Sequence, residues 1–185
     1  MVPPVLTCLI GRTLGSGIGT LDHYDLRDLA ASLLGHLCNK YSKYSHNLKP
    51  RLARSCLKTF LDPKKPFGSH YGAILGLKAI GGAEVVRQLI VPNLRSYGEL
   101  LEDDINSEQS IKKAEAEKVV SSILNALGAL VDDDLPMMNG HSEESENGMR
   151  TKLVDKVGSV IGERIADSGH TRLAKAVLDG DLTGL

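Results

Sequence analysis

The sequence predicts an all-α protein, an α-solenoid built from about four helical hairpins. Apolar residues recur three and four positions apart along nearly all of its 185 residues, which is the spacing of one face of an α-helix. Aromatic residues make up only 4% of the chain and tryptophan is absent, so the core must be aliphatic, which favours helix packing over a β-sandwich. No stretch alternates apolar and polar residues for long enough to predict a strand.

The first hairpin is predicted over residues 2–42. Pro3 and Pro4 fit a first helical turn, where the backbone N–H has no helical partner. The glycine-rich stretch 15–19 is predicted to connect two helices, because it lacks the lysine of a phosphate-binding loop and no strand precedes it. The second helix is predicted to bury one apolar stripe, formed by Leu26, Leu29, Ala30, Leu33, Leu37 and Tyr41.

The second hairpin is predicted over residues 46–81. Its first helix carries apolar residues four apart, at Leu48, Leu52, Cys56 and Phe60. Pro63 ends that helix because it disfavours helical backbone at the residue before it, and Gly81-Gly82 ends the next one. Gly72 and Gly76 lie four apart inside that next helix, and glycine is unfavourable there, so we predict that another helix approaches closely.

The third hairpin is predicted over residues 83–132, with a kink at Pro92. The second helix of this hairpin is predicted to bury Ile111, Ala114, Val119, Ile123, Leu127 and Leu130. Residues 135–149 are polar and acidic, which predicts a flexible insert.

The fourth hairpin is predicted over residues 150–179. One continuous stripe of apolar residues runs from Leu153 to Ile165, and Gly169 separates it from a last short helix. The four hairpins start at intervals near the ~40–47 residues of HEAT and armadillo repeats. The spacing therefore favours a single domain over 1–185 that is a HEAT-like solenoid rather than a compact bundle.

Charge is unevenly distributed although the net charge is −1. Residues 40–65 contain eight Lys or Arg against one acid, whereas residues 99–146 contain thirteen acids against three lysines. Opposite patches on one body favour oriented contact with partners. An acidic protein, weak contact with DNA phosphates, and no specific partner all remain open for the basic segment. Its candidate partner-binding residues are Lys49, Arg51, Arg54, Lys58, Lys64 and Lys65.

The sequence offers no constellation of residues for catalysis. Ser55 and the Ser121-Ser122 pair lack a neighbouring general base, and the six histidines have no Cys or carboxylate at metal-ligand spacing. The three cysteines are odd in number and widely spaced, which predicts buried free thiols in a reducing compartment, the cytosol or the nucleus. We therefore expect no enzyme activity, no metal or other cofactor and no small-molecule substrate, and no segment predicts a membrane anchor.

Four stretches carry a resemblance to a known family. They are VPPVLTCLIGRTLG (2–15), HYDLRDLAASLLGHLC (23–38), HYGAILGLKAIG (70–81) and LIVPNLRSY (89–97). Together they resemble the C-terminal HEAT domain of the TBP-associated factor that is subunit six of TFIID. The similarity extends from Val2 to about Leu101, and LRDLAA and YGAILGL are its most specific segments.

The resemblance implies a noncatalytic scaffold that works in the nucleus. Such domains organise the general transcription factor TFIID at RNA polymerase II promoters, and in fungi the same subunit also serves the coactivator SAGA, so other subunits are the implied partners. The histone fold that precedes this domain in the family is not found in this sequence. Within the matching segments, Arg27 and Asp28 lie off the predicted stripe, so they either pair with adjacent repeats or face a partner. Arg27 is for that reason a further candidate for partner binding.

Overall fold

A computed structural model describes residues 2–14, 23–133 and 146–179. All regular secondary structure in these three ranges is helical, which confirms the all-α prediction. In chain order the α-helices of the described ranges are α1 (Val2–Ile10), α2 (His23–Tyr41), α3 (Leu48–Phe60), α4 (Phe67–Val85), α5 (Leu94–Ile105), α6 (Ser110–Asp133), α7 (Glu146–Val157), α8 (Ser159–Asp167) and α9 (Thr171–Leu178). The predicted connector 15–19 and most of the predicted insert, residues 134–145, lie outside the described ranges.

The helices stack as a solenoid. Consecutive helices pack as hairpins, α1 on α2, α3 on α4 and α5 on α6. The second helices of these hairpins also pack on one another, so that α2, α4 and α6 form one layer, and α9 continues the layer beside α6. The predicted first three hairpins, over 2–42, 46–81 and 83–132, are therefore present. One hydrophobic core runs through all of them, from Leu9 in α1 to Val177 in α9.

The fourth unit differs from the prediction because it contains three short helices. The apolar stripe from Leu153 to Ile165 is divided between α7 and α8 at Gly158, whose φ is 85°. Glycine adopts this left-handed conformation without the steric penalty of a side chain. Gly169 separates α8 from α9 in the same way, as predicted, with φ 66°. In addition, α7 begins at Glu146, so the predicted flexible insert is wrong for residues 146–149.

Two other predicted breaks are confirmed. Gly82 adopts φ 56° and ψ −140° and interrupts α4 next to its predicted end. Near Pro92 the chain forms a π-helical turn, Val86–Ile90, followed by a 3₁₀ turn, Val91–Asn93. Proline lacks the N–H that a regular helix requires and crowds the preceding turn, so the hydrogen-bond ladder is altered there.

The predicted buried stripe of α2 is wrong. Leu26, Leu29 and Leu33 are 41%, 67% and 44% exposed, and α2 instead buries Tyr24, Arg27, Ala30, Ala31, Leu34 and Cys38. Ala30 is the one residue of the predicted stripe that is fully buried. The reason is close packing: a Cβ on Gly35 would lie 3.0 Å from the Ala79 carbonyl oxygen of α4. Gly35 and Ala79 permit this approach, which fixes the side of α2 that meets α4 and leaves the leucines turned outward.

The remaining stripes are mostly as predicted. In α3, Leu52, Cys56 and Phe60 are buried. In α6 the stripe from Val119 to Leu130 is buried, whereas its predicted start, Ile111 and Ala114, is exposed because the first turn of this 24-residue helix projects beyond the core. The cysteines are free thiols as predicted, with Cys38 and Cys56 buried and Cys8 half-buried.

Candidate functional site

The junction of α1, α2 and α4 is built around the buried side chain of Arg27, which is 1% exposed. Its Nη1 donates to the Leu9 carbonyl oxygen at 2.6 Å and its Nη2 donates to the Gly11 carbonyl oxygen at 2.9 Å. Its Nε donates to Nδ1 of His23 at 3.1 Å. The guanidinium therefore supplies donors and positive charge to the C-terminal end of α1, where carbonyl groups lack helical partners. Arg27 pairs with a neighbouring helix, so its prediction as a partner-binding residue is wrong.

The same junction explains two of the glycines in α4. A Cβ on Gly72 would overlap the Leu9 carbonyl oxygen, and a Cβ on Gly76 would lie 2.7 Å from Cδ2 of Leu9. The predicted close approach is thus confirmed, and the approaching helix is α1. Ser69 also donates from Oγ to the Gly11 carbonyl oxygen at 3.0 Å. Burial lowers the pKa of Arg27, but an arginine remains protonated in proteins, so its positive charge is retained at the junction.

A second buried polar contact joins α4 to α5. His70 is 1% exposed, with its Nε2 3.0 Å from the Asp62 carbonyl oxygen and its Nδ1 2.6 Å from the hydroxyl of Tyr97. A carbonyl oxygen only accepts, so Nε2 carries the proton and Nδ1 accepts from Tyr97. Burial is the main cause that lowers the pKa of His70, and it raises the pKa of Tyr97. Both groups are therefore neutral and serve to connect helices.

The basic residues of segment 40–65 that were predicted to bind partners lie in three places. Arg51, Arg54 and Lys58 are exposed together on one face of α3. None of the three makes an ion pair with another described residue. Lys49 is half-buried and lies on the opposite side of that helix, where its charge acts on Cys38. Lys64 and Lys65 follow α3 in a turn that Asp62 closes by accepting the Lys64 backbone N–H at 3.0 Å.

The outward side of α2 is a surface that the sequence did not predict. Leu26, Leu29, Leu33, half-buried Leu37 and Tyr41 line it, and we call it the outer α2 face. It lies away from α4, since exposed Asp28 on the other side of α2 accepts a hydrogen bond from the Tyr71 hydroxyl of α4 at 2.7 Å. That contact agrees with the first of the two alternatives predicted for Asp28, pairing with an adjacent repeat rather than facing a partner. A row of exposed leucines is typical of a protein interaction surface.

Across residues 2–14, 23–133 and 146–179, no three His, Cys, Asp or Glu side chains come together as ligands for a metal ion. None of the described helices has the length and apolar composition that a bilayer crossing requires. Within the described ranges, the candidate surfaces are the outer α2 face, the basic face of α3 and the grooves between helices.

Comparison with known proteins identifies the family. The family described as "TAF6 C-terminal HEAT repeat domain" matches residues 1–95, about half of the chain. The chain belongs to this family. That membership confirms the resemblance inferred from the sequence, and a HEAT repeat domain agrees with the stacked helical hairpins of the structure.

Relatives of this TAF6 C-terminal HEAT repeat domain extend the match. The chain is 38% identical over 180 residues to "SAGA complex/transcription factor TFIID complex subunit Taf6" of Schizosaccharomyces pombe, which covers 97% of the chain and 38% of that protein. It is 41% identical over 134 residues to "Transcription initiation factor TFIID subunit 6" of Arabidopsis thaliana, covering 71% of the chain and 24% of the relative. The similarity thus continues beyond Leu101, the limit inferred from the sequence, and the chain spans less than two fifths of these relatives.

Proposed function

We propose that this chain is a noncatalytic scaffold domain that joins subunits of the general transcription factor TFIID, and of SAGA, during preinitiation-complex assembly in the nucleus. The observation that carries the proposal is the 38% identity, over 97% of the chain, to a fission yeast protein whose name places it in both complexes. The partners proposed are other subunits of these complexes.

The architecture supports this role. Stacked hairpins bury one continuous core and present long helical faces on the outside. The outer α2 face presents Leu26, Leu29 and Leu33 to solvent, and their exposure of 41% to 67% is unusual for leucine in a folded domain. Covering such a face with the apolar side of a neighbouring subunit would remove this area from water, which is the main favourable term in protein association. We therefore assign subunit contact first to this face.

The test is affinity purification of the tagged 185-residue chain from fission yeast cells at about 50 mM salt, where charge interactions are weakly screened. We expect mass spectrometry to recover named TFIID or SAGA subunits. The double substitution Leu29→Glu with Leu33→Glu should reduce this recovery. Leu61→Glu is the matched control, because Leu61 is 46% exposed and lies outside the outer α2 face. Recovery of no subunit of either complex would overturn the proposal.

A weaker second candidate is contact with promoter DNA through the basic face of α3. Arg51, Arg54 and Lys58 favour it because they are exposed side by side and lack ion pairs with other described residues. If these three cations contact phosphates, affinity for a DNA duplex should fall by roughly 1.6 decades between ~50 and ~200 mM salt. Absence of binding at the lower salt concentration would remove this candidate.

A further inference from the structure

A groove of about 710 Å³ lies between α6 and the start of α9. This α6–α9 groove is lined by three apolar side chains, Leu124, Val131 and Leu173, and by the polar residues that precede and begin α9. Its volume falls within the range of ~300–1,000 Å³ that is typical of ligand-binding clefts. The groove is far along the chain from the outer α2 face, so the two surfaces can be tested separately.

The groove is wide because side chains are absent where they would fill it. A Cβ placed on Gly128 of α6 would meet no atom within 4 Å, and the same is true of Gly169, which precedes α9. Gly169 adopts φ 66°, which explains glycine there as a requirement of the turn. Gly128 lies in a regular helix, where glycine is unfavourable by up to ~1 kcal/mol relative to alanine. The local helix therefore does not explain why position 128 lacks a side chain and leaves open space beside the α6 backbone.

Two basic side chains stand at the α9 side of the groove. His170 and Arg172 line it and are exposed, and neither makes an ion pair with another described residue. Asp167, an acid close to them in sequence, is bound by Nη2 of Arg150 at 2.9 Å. A guanidinium beside an apolar floor fits a carboxylate next to a bulky apolar side chain. Arg172 would repel a lysine placed beside it, and a nucleic-acid backbone would find no partner on the floor.

We propose that the α6–α9 groove docks a short acidic segment of another subunit, which inserts one bulky apolar side chain above Gly128 and places a carboxylate beside Arg172. This inference rests on the proposed scaffold function and assigns a partner chemistry to one further surface of the domain. Charge complementarity beside Arg172 selects the partner, and the apolar floor supplies the burial.

The test uses the 185-residue chain labelled with ¹⁵N and a blocked peptide in which glutamates flank a Leu-Phe-Leu core. We expect the amide signals of Gly128, Gly169 and Thr171 to shift on titration. A peptide with lysines in place of the glutamates, and one with serines in place of the apolar core, should each bind at least ~10-fold more weakly, since a charge-assisted hydrogen bond or one buried apolar side chain changes affinity by about that factor.

Two variants locate the binding. Gly128→Leu should fill the groove and weaken the acidic peptide at least ~10-fold. Its matched control is Gly148→Leu, because Gly148 is an exposed glycine of α7 whose Cβ also meets nothing within 4 Å. Arg172→Glu should weaken the acidic peptide and strengthen the lysine peptide. Circular dichroism and urea unfolding show whether each variant keeps the fold.

Several outcomes would overturn the inference. Equal affinity for the three peptides, or equal effects of Gly128→Leu and Gly148→Leu, would show that the groove does not select an acidic apolar segment. If deletion of residues 135–145 or 180–185 shifts the same signals without peptide, the occupant belongs to this chain. If TFIID or SAGA subunits are recovered with the domain while the acidic peptide fails to bind, this inference fails and the proposed function stands.

Discussion

The inner and outer faces of α2 reverse the usual distribution of residues. The inner face buries the charged side chain of Arg27, whereas the outer face leaves Leu29 67% exposed. The inner face meets α1 and α4, and the backbone of α2 comes close to α4 at Gly35. The outer face meets no described helix that covers it.

This contrast separates two causes of burial. Arg27 is buried because the carbonyl groups of Leu9 and Gly11 need donors at the end of α1, and its hydrogen bonds offset the desolvation of its charge. The outer leucines are exposed because α4 packs on the other side of the helix. Arg27 is therefore part of the fold, whereas the outer leucines are the side chains that we propose for contact with a partner.

The largest expected effect is on the inner face. Replacing Arg27 with methionine removes its hydrogen bonds to the Leu9 and Gly11 carbonyl oxygens and leaves the former buried without its donor. We expect the free energy of unfolding, measured by urea titration, to fall by about 3 kcal/mol. Lys58→Met is the control, because Lys58 is exposed and should change stability by less than ~0.5 kcal/mol. Equal stability of the two variants would contradict the role given to Arg27.

The next effect tests the close approach of α1 to α4. Gly72→Ala places a Cβ into the Leu9 carbonyl oxygen, so α1 must move and the Arg27 contacts with it. We expect a loss of about 2 kcal/mol in urea unfolding. Gly128→Ala is the matched substitution in open space within α6, and should be neutral or stabilising by up to ~1 kcal/mol. A stabilising Gly72→Ala would show that α1 packs elsewhere.

A smaller effect concerns the pH dependence of stability, to which the buried side chain of His70 contributes. Burial lowers the pKa of His70, so the unfolded chain binds its proton more readily than the folded chain. The stability that His70 contributes is therefore complete above its unfolded pKa of about 6.5 and falls as pH decreases below it, by at most ~1.4 kcal/mol per pH unit. The pKa of Glu115, which lies beside the same cleft, is raised mainly by burial and acts in the opposite direction.

Unfolding measured from pH 8 to pH 5.5 isolates this contribution. His70→Gln should be less stable at pH 8 than the parent chain, and its stability should decline less at lower pH. His36→Gln is the control, because His36 is exposed on α2. If the two glutamine variants show the same slope as the parent, titration of His70 does not contribute to stability.

The sequence predicts helices and their order well because helical periodicity is a local property. The stripes of α3 and most of α6 are predicted correctly, since in each the buried apolar residues recur along one face. In α2, leucines and alanines occupy adjoining faces, and periodicity alone cannot decide which one meets the core. Which face of α2 meets the core depends on Gly35 and Gly72, because these glycines let neighbouring backbones approach. This close approach exists only once the helices are assembled.

The candidate sites were predictable to different degrees. Exposed Arg51, Arg54 and Lys58 could be predicted from charge and helical spacing. Arg27 could not be assigned correctly, because its acceptors lie 16 and 18 residues earlier, at the end of another helix. The signal that could have found its role is the pair of helix-interior glycines opposite α1, which indicates a junction with little room for any side chain.

The smallest expected effect on stability is on the outer face. Leu29→Glu together with Leu33→Glu removes two leucines from the surface that we assign to subunit contact, yet these side chains are 67% and 44% exposed. We therefore expect urea unfolding of the isolated chain to change by only ~0.5 kcal/mol per substitution, even though recovery of TFIID or SAGA subunits falls. Ala30→Glu, one position from Leu29 but 5% exposed, should instead unfold the domain, because it places an unpaired carboxylate in the core. If the two outer substitutions lowered the free energy of unfolding as much as Ala30→Glu does, the outer leucines would stabilise the fold, and their assignment to partner contact would be contradicted.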